Sequence, residues 1–171
     1  MEQTVGSPPT GEKESVYKET LQQLESLLGE DDDLIASLAN TAALLKLNIP
    51  SMSWAGFYLT SGDDLIVGPF QGKPACIRIP FGRGVCGKAA NLRKTLIVED
   101  VSSFPDHIAC DPKSRSEIVV PIEVDGSVVG LLDADSEIYG NFDEMDKYYL
   151  EQVVALLREK FRKTVESRSR L

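Results

Sequence analysis

Three cysteines, Cys76, Cys86 and Cys110, are the first residues whose type and placement point to chemistry. Their number is odd and the N-terminal segment has no apolar signal region, so we expect thiols in the cytoplasm rather than a structural disulfide framework. Cys86 follows a glycine-rich turn at the predicted start of a short helix, where the helix dipole lowers the pKa of a thiol. Spacing alone leaves two interpretations open, which are reactive thiols and buried small side chains.

A metal site is disfavoured by the spacing of the possible ligands. The three cysteines and His107 would be needed together for zinc, yet the chain has no Cys-x-x-Cys pair and only one histidine. The glycine-rich segment 82–87 lacks the Lys-Ser/Thr pair of a phosphate-binding loop, so we interpret it as a tight turn. The sequence therefore predicts no bound metal or cofactor here.

Three acids lie at the ends of two strands that we expect to pair. Glu117 begins a strand-like segment at 117–124, and Asp133 and Asp135 close the segment that returns after the Asp-Gly turn at 125–126. The i, i+2 spacing of Asp133 and Asp135 places both on one face of a strand. Counted from the turn, Glu117 is eight residues before it and Asp135 nine after it, so the acids can meet. They are either solvated strand ends or a negative pocket suited to an ammonium group or a shared proton.

Two aromatic residues share a face of the first predicted strand. Trp54 and Tyr58 are four positions apart, which is an even spacing on a strand. They are interpreted either as core residues or as the walls of a small apolar pocket that offers rings to a methyl group or a sulfur.

The overall composition excludes several classes of partner. The 171 residues carry 18 Lys and Arg against 27 Asp and Glu, which gives a net charge of −9. Such a surface repels phosphate backbones, so we expect no nucleic acid partner. No window approaches the roughly 18 consecutive apolar residues of a membrane span, so we expect no membrane association either. The length fits one domain, with residues 1–14 as a disordered leader and 15–171 as the folded part.

The order of the predicted elements indicates an α+β fold. Apolar periodicity predicts a helix at about 15–28, a second helix that begins near Asp31, Asp32 and Asp33, and a last helix at 143–165. We expect an antiparallel sheet with these terminal helices on one face and a smaller layer of loops and a short helix over the site on the other. The predicted strands are 54–60, 65–70, 75–79, 95–98, 117–124 and 127–133, and a long irregular stretch occupies 100–116.

Five segments of the chain carry a resemblance to a known family. They are WAGFY at 54–58, GPFQGKPAC at 68–76, GRGVCG at 82–87, FPDHIACD at 104–111 and SEIVVPI at 116–122. The chain resembles the free methionine-(R)-sulfoxide reductases, which are built on a GAF domain, over roughly residues 16–161. The three cysteines are what distinguish these enzymes from other GAF domains.

The resemblance implies a role for each candidate residue. Cys110 matches the catalytic cysteine, Cys76 and Cys86 match the two candidates for the resolving cysteine, and we favour Cys76 because it lies on a predicted strand. The remaining matches are Glu117, Asp133 and Asp135 as substrate-binding carboxylates, with Glu117 as proton donor, and Trp54 and Tyr58 as the pocket for the substrate's methyl end.

The resemblance also implies the reaction and its partners. The enzyme would reduce the R epimer of free methionine sulfoxide through a cysteine sulfenic acid and an intramolecular disulfide. A thioredoxin-type dithiol protein would then reduce the disulfide, with no bound cofactor. GAF domains often pair through their terminal helices, so we expect a homodimer.

Two other functions remain open from the sequence. One is a non-catalytic GAF module that senses a small ligand, although 171 residues leave no room for an effector domain. The other is a thiol redox sensor that has no substrate. Consumption of NADPH with thioredoxin, its reductase and free methionine-(R)-sulfoxide distinguishes the enzyme from both.

Overall fold

The computed structural model describes residues 10–29 and 33–168, which form one antiparallel sheet of six strands with helices on both faces. The predicted α+β class is therefore confirmed. In chain order the elements are α1 (Thr10–Leu27), α2 (Leu34–Asn48), β1 (Trp54–Ser61), β2 (Asp64–Gln71), β3 (Arg78–Pro80), α3 (Gly84–Leu92), β4 (Leu96–Val98), β5 (Ser116–Val124), β6 (Ser127–Ser136) and α4 (Glu144–Arg168).

The sheet has the strand order β3-β2-β1-β6-β5-β4, and every neighbouring pair is antiparallel. Hairpins account for most of this order, because β1 pairs with β2 and β5 pairs with β6. The pairing of β1 with β6 joins the two hairpins at the centre of the sheet. The centre is therefore built from the strands that carry the aromatic residues and the acids.

The turn between β5 and β6 sets the register of the acids. Asp125 and Gly126 both have positive φ, at 49° and 80°, as a two-residue hairpin of the right twist requires. One extra residue enters β6 where the register shifts, so Ile122 pairs with Gly130. This bulge places Glu117 directly opposite Asp135, on the same face of the sheet.

Helices α1, α2 and α4 pack on one face of the sheet over the larger apolar core. Leu24, Leu38 and Leu157 are buried there from the three helices, against Phe57 and Ile118 of the sheet. Spacings of three and four residues put these apolar side chains on one stripe of each helix. The terminal helices therefore cover one face, as the sequence predicts.

The opposite face is covered by α3 and by the loops around it. Val85 and Ala89 of α3 lie in a second, smaller apolar cluster with Val119 and Leu131 of the sheet. Gly87 lets the helix approach, because a Cβ at this position would lie 2.3 Å from the carbonyl oxygen of Pro80. This layer of loops and one short helix is where the candidate site lies.

Two boundaries differ from the sequence prediction. The first helix begins at Thr10, so residues 10–14 of the predicted disordered leader are helical, and residues 1–9 lie outside the described part. Lys13, within the early turns, is buried against α4, which favours helix at these polar positions. The third strand is also shorter than predicted, because pairing with β2 begins only at Arg78.

The start of α2 depends on one of three clustered acids. The Asp33 side chain accepts a hydrogen bond from the Ala36 backbone N–H at 3.1 Å and caps the helix. Asp31 and Asp32 lie outside the described residues. No described helix has the length and apolar character needed to cross a membrane.

Candidate active site

One pocket on the α3 face brings together all eight residues singled out from the sequence. Its wall is formed by the ends of the central strands, by α3, and by two loops that each carry a cysteine. We name residues 72–77 the Cys76 loop and residues 104–115 the Cys110 loop. The eight are Trp54, Tyr58, Cys86, Glu117, Asp133 and Asp135, which line the pocket with Cys110, and Cys76, which is bonded to Cys110.

The three acids converge at the bottom of this pocket, as predicted. Glu117 and Asp133 are buried, and Asp135 is half-buried. Asp133 Oδ1 has no hydrogen-bond partner, and no described Lys, Arg or His forms an ion pair with any of the three. No described cation therefore pairs with the three carboxyl groups, although Lys73 lines the same pocket and pairs with Asp111 and Glu137.

Burial and mutual repulsion favour the protonated form of these acids. Burial raises the pKa of Glu117 well above its ordinary value, and the charges of Asp133 and Asp135 raise it further. Burial likewise raises the pKa of Asp133, with the charge of Asp135 as the next cause. The pKa of Asp135 rises to about 6, mainly through burial, although a hydrogen bond from Ser114 opposes the shift. A proton held among carboxyl groups near neutral pH is suited to general acid catalysis.

Cys86 lies at the start of α3, but its chemistry differs from the prediction. The thiol is buried and donates to Glu117 Oε1 at 3.6 Å. Burial raises the pKa of Cys86 well above its ordinary value, and the nearby charges of Asp133 and Glu117 raise it further. The expectation that the helix dipole lowers the pKa of this thiol is therefore wrong, because burial among acids outweighs the dipole.

Cys76 and Cys110 are joined by a disulfide, with their Cα atoms 5.4 Å apart. The bond connects the Cys76 loop to the Cys110 loop at the mouth of the pocket. The sequence predicts that Cys76 lies on a strand, and this prediction is wrong. Cys76 lies in a loop, because β3 begins only at Arg78. While they are bonded to each other, these two cysteines cannot supply thiolates to a metal ion.

Trp54 and Tyr58 face the pocket and also hold the Cys76 loop in place. The Trp54 indole N–H donates to the carbonyl oxygen of Lys73 at 3.1 Å, and the Tyr58 hydroxyl donates to that of Cys76 at 3.0 Å. Gly56 makes room for the Trp54 ring, because a Cβ there would lie 2.7 Å from it. The two rings are 6.1 Å apart and form an apolar wall.

Two polar residues of the site were missed by sequence reasoning. Ser114 donates a hydrogen bond to Asp135 Oδ1 at 3.0 Å. Lys73 forms ion pairs with Asp111 at 3.0 Å and Glu137 at 3.2 Å, so it ties the Cys76 loop to the Cys110 loop. Both lie in irregular segments, where no periodicity in the sequence indicates which way a side chain points.

The donor atoms of the pocket suit a cation. One oxygen each of Glu117 and Asp133 and the Cys86 sulfur lie within 4.8 Å of one another. Such a set can hold a divalent metal or an ammonium group, and our expectation of no metal stays a prediction. His107 also lines the pocket, where partial burial lowers its pKa and favours the neutral imidazole.

The space inside the pocket is small while the disulfide is closed. It amounts to about 50 Å³, which is room for a few water molecules. An amino acid therefore does not fit this space unless residues around it move. The pocket is accordingly in a closed, oxidised state.

Comparison with known proteins identifies the domain. The GAF domain family matches residues 12–158, which is most of the chain. A Bacillus subtilis protein named YtsP is 51% identical over 152 residues, covering 88% of this chain and 93% of the relative.

Two further relatives carry a name that states an activity. An Escherichia coli protein named free methionine-R-sulfoxide reductase is 45% identical over 147 residues, covering 86% of this chain and 89% of the relative. The X-ray structure of a Neisseria meningitidis protein of the same name, in complex with its substrate, matches with a TM-score of 0.87 at 46% identity. That match covers 98% of this chain and 99% of the other.

Proposed function

The chain belongs to the free methionine-R-sulfoxide reductase family of GAF-domain proteins, and from this premise we propose that it reduces free L-methionine-(R)-sulfoxide to L-methionine. One observation carries the proposal. The buried Glu117 and Asp133 and the half-buried Asp135 share a single pocket with the Cys76–Cys110 disulfide, and no described cation pairs with them. This arrangement offers a site for an ammonium group directly below redox-active sulfur.

The acids explain why the substrate is a free amino acid. Its ammonium group is a cation that can pair with Asp133 and Asp135, and Asp133 Oδ1 is available to accept a hydrogen bond from it. A methionine sulfoxide within a protein has an amide in place of the ammonium, so it offers no charge to these acids. We assign the methyl end to the apolar wall of Trp54 and Tyr58.

The reduction begins with the Cys110 sulfur. Its thiolate attacks the sulfoxide sulfur and supplies two electrons, the oxygen is protonated and transferred, and methionine leaves while Cys110 becomes a sulfenic acid. We assign the proton to Glu117, because burial and its acidic neighbours raise its pKa and keep the proton available at neutral pH.

The sulfenic acid is then resolved by Cys76. The Cys76 thiol condenses with it, water leaves, and the disulfide seen in the structure forms. We assign Cys86 a secondary role as relay or substitute, because its thiol is buried and resists ionisation. Peptide mapping after one turnover tests this order, and a dominant Cys86–Cys110 bond would reverse the two roles.

The enzyme returns to its reduced state by thiol–disulfide exchange. We propose a thioredoxin-type protein as reductant, with no bound cofactor, and a cytoplasmic location where such dithiols are kept reduced. We also propose a homodimer, and the exposed Leu27 and Leu47 on α1 and α2 supply apolar surface for pairing. Sedimentation equilibrium measures the association state.

The experiment that tests the function is a coupled assay. Purified protein is mixed with thioredoxin, thioredoxin reductase, NADPH and either epimer of free methionine sulfoxide. We expect NADPH consumption with the R epimer and very little with the S epimer. No turnover of either epimer, also with dithiothreitol as reductant, would contradict the proposal and favour a sensor module.

A single turnover tests the nucleophile. Without reductant, the reduced wild-type chain should release one methionine per molecule, and Cys110→Ser should release none, since an alcohol cannot replace a thiolate. Circular dichroism checks that the variant is folded. Methionine release by Cys110→Ser at the wild-type level would assign the nucleophile to another cysteine.

A further inference from the structure

The disulfide is half-buried, so a protein that reduces it has little freedom in how it approaches. Both Cys76 and Cys110 are partly covered by their loops. Exchange requires the attacking sulfur to reach one of the two sulfurs in line with the bond that breaks. The surface of the reducing protein must therefore cover the residues next to the sulfur that it attacks.

The surface beside Cys76 differs from the surface beside Cys110. Cys76 is followed by Ile77, an apolar side chain that is 73% exposed. Cys110 is followed by Asp111, for which hydrogen bonds from the Lys113 N–H and Lys73 outweigh partial burial and hold the pKa below its ordinary value. A thiolate that approached Cys110 would meet this carboxylate, which Lys73 pairs with at 3.0 Å, whereas the two residues that flank Cys76, Ala75 and Ile77, are uncharged.

Ile77 is held in place by the sheet, although its side chain is exposed. Its carbonyl oxygen accepts a hydrogen bond from the Val67 N–H at 3.0 Å, and Arg78 next to it is the first residue of β3. The Tyr58 hydroxyl fixes the carbonyl of Cys76 from the inner side. A large apolar side chain in a fixed position beside a reactive sulfur is what a protein partner can use as a contact.

We propose that the thioredoxin-type dithiol protein docks over Ile77 and attacks the Cys76 sulfur. This inference rests on the proposed recycling by such a protein. The thiolate of the partner bonds to Cys76 Sγ, the Cys76–Cys110 bond breaks, and its electron pair leaves on Cys110 as a thiolate. The second thiol of the partner, once deprotonated, attacks its own mixed-disulfide sulfur and releases Cys76 as a thiolate, while the partner becomes oxidised.

Attack on Cys76 also suits the next catalytic cycle. Cys110 leaves as the thiolate that the following attack on sulfoxide needs, and it is not bonded to the partner. Attack on Cys110 would instead leave the catalytic sulfur bonded to the reductant until the second exchange step.

The test compares a protein reductant with a small one. Ile77→Ser removes the apolar contact, and oxidised variant and wild type are reduced either by thioredoxin or by dithiothreitol. We expect the rate constant with thioredoxin to fall about tenfold, as for loss of an interface anchor, and the rate constant with dithiothreitol to stay within twofold. Ile35→Ser is the matched control, because Ile35 is 50% exposed on α2, which packs on the other face of the sheet.

A trapped intermediate tests which sulfur is attacked. Thioredoxin whose second cysteine is replaced by serine is mixed with oxidised wild-type protein, and the acid-quenched mixed disulfide is mapped. A bond to Cys76 supports the proposal, and a bond to Cys110, or an Ile77→Ser rate equal to wild type, overturns it. If wild type is reduced by dithiothreitol but not by thioredoxin, the proposed recycling fails together with the docking site, which is a distinguishable result.

Discussion

The two faces of the sheet bury carboxyl groups in different ways. On the helical face, Asp146 of α4 is buried with a cation, because Lys13 of α1 pairs with it and Tyr17 donates a hydrogen bond to it at 2.7 Å. On the pocket face, Glu117, Asp133 and Asp135 are brought together with no described cation beside them. The Asp146 set joins α1 to α4 across the chain, whereas the three pocket acids come from the consecutive strands β5 and β6.

This difference separates a structural site from a binding site. Burial raises the pKa of Asp146, but the hydrogen bonds from Lys13 and Tyr17 oppose the shift, so the helical site is electrically satisfied. In the pocket, burial and repulsion act in the same direction for Glu117 and Asp133. A ligand with a positive charge therefore stabilises the acids of the pocket. The helical site needs no such ligand, because Lys13 already pairs with Asp146.

The largest effect that we expect on the pocket side comes from Glu117→Gln. The amide keeps the shape of the side chain but cannot transfer the proton, so the rate of methionine release should fall about 10²–10⁴-fold. Single-turnover kinetics measure this step directly. Glu123→Gln on the same strand is the control, because Glu123 pairs with Arg93 at the surface and should leave the rate within twofold. A Glu117→Gln rate within a few-fold of wild type would refute the role as proton donor.

Substitutions at the Lys13–Asp146 pair on the helical face should lower the stability of the fold and leave catalysis unchanged. Lys13→Met leaves Asp146 buried without its cation, which should lower the free energy of unfolding by about 3–5 kcal/mol. Urea denaturation at pH 7 measures this change. Lys18→Met on the same helix removes an exposed ion pair with Glu14 and should leave the free energy of unfolding nearly unchanged. Equal costs for the two variants would mean that the Lys13 pair is no more than a surface contact.

Asp135→Asn should weaken substrate binding but raise the free energy of unfolding, the opposite change in stability to that of Lys13→Met. Loss of the charge should raise KM for free methionine sulfoxide about 10–100-fold, with a smaller fall in kcat, because an ammonium–carboxylate hydrogen bond is lost. The same substitution should stabilise the protein at neutral pH, since it removes one charge from a repelling cluster. Steady-state kinetics measure KM, and urea denaturation measures the free energy of unfolding. An unchanged KM would show that Asp135 does not bind the ammonium group.

The smallest effect is a dependence of stability on pH. The folded protein raises the pKa of Asp135 from 3.8 to about 6, so the folded state binds this proton more tightly than the unfolded state. The resulting stabilisation is complete below about pH 4 and is lost as the pH rises through 6. Relative to Asp135→Asn, the Tm of wild type should therefore fall by a few degrees between pH 5 and 7. A constant difference across this range would show that Asp135 titrates normally.

Much of the pocket side could be predicted because hairpin geometry is local. The Asp-Gly turn and the count of eight and nine residues put Glu117 near Asp135, and the bulge in β6 accounts for the odd residue between these two counts. The shared face of Trp54 and Tyr58 follows from strand alternation in the same way. Local rules were sufficient wherever the site is built on paired strands.

The failures occurred where distant segments decide the outcome. Cys76 was placed on a strand from its apolar neighbours, but the loop is held instead by hydrogen bonds from Trp54 and Tyr58. The pKa of Cys86 depends on acids that lie 31 or more positions away in the chain, which a helix dipole argument does not include. The early start of α1 depends likewise on Lys13 meeting Asp146 from the other end of the domain.

The most direct test of this account is a comparison of two substrates that differ at the amino group, which is an ammonium in one and an uncharged amide in the other. Reduced protein is mixed with free L-methionine-(R)-sulfoxide or with its N-acetyl derivative, and product release in a single turnover is measured over a range of concentrations. Because we expect the acids of the pocket to bind the ammonium group, we predict saturable reduction of the free amino acid and no measurable binding of the acetylated one. Equal rates and equal half-saturation for the two would contradict the claim that Glu117, Asp133 and Asp135 form an ammonium site.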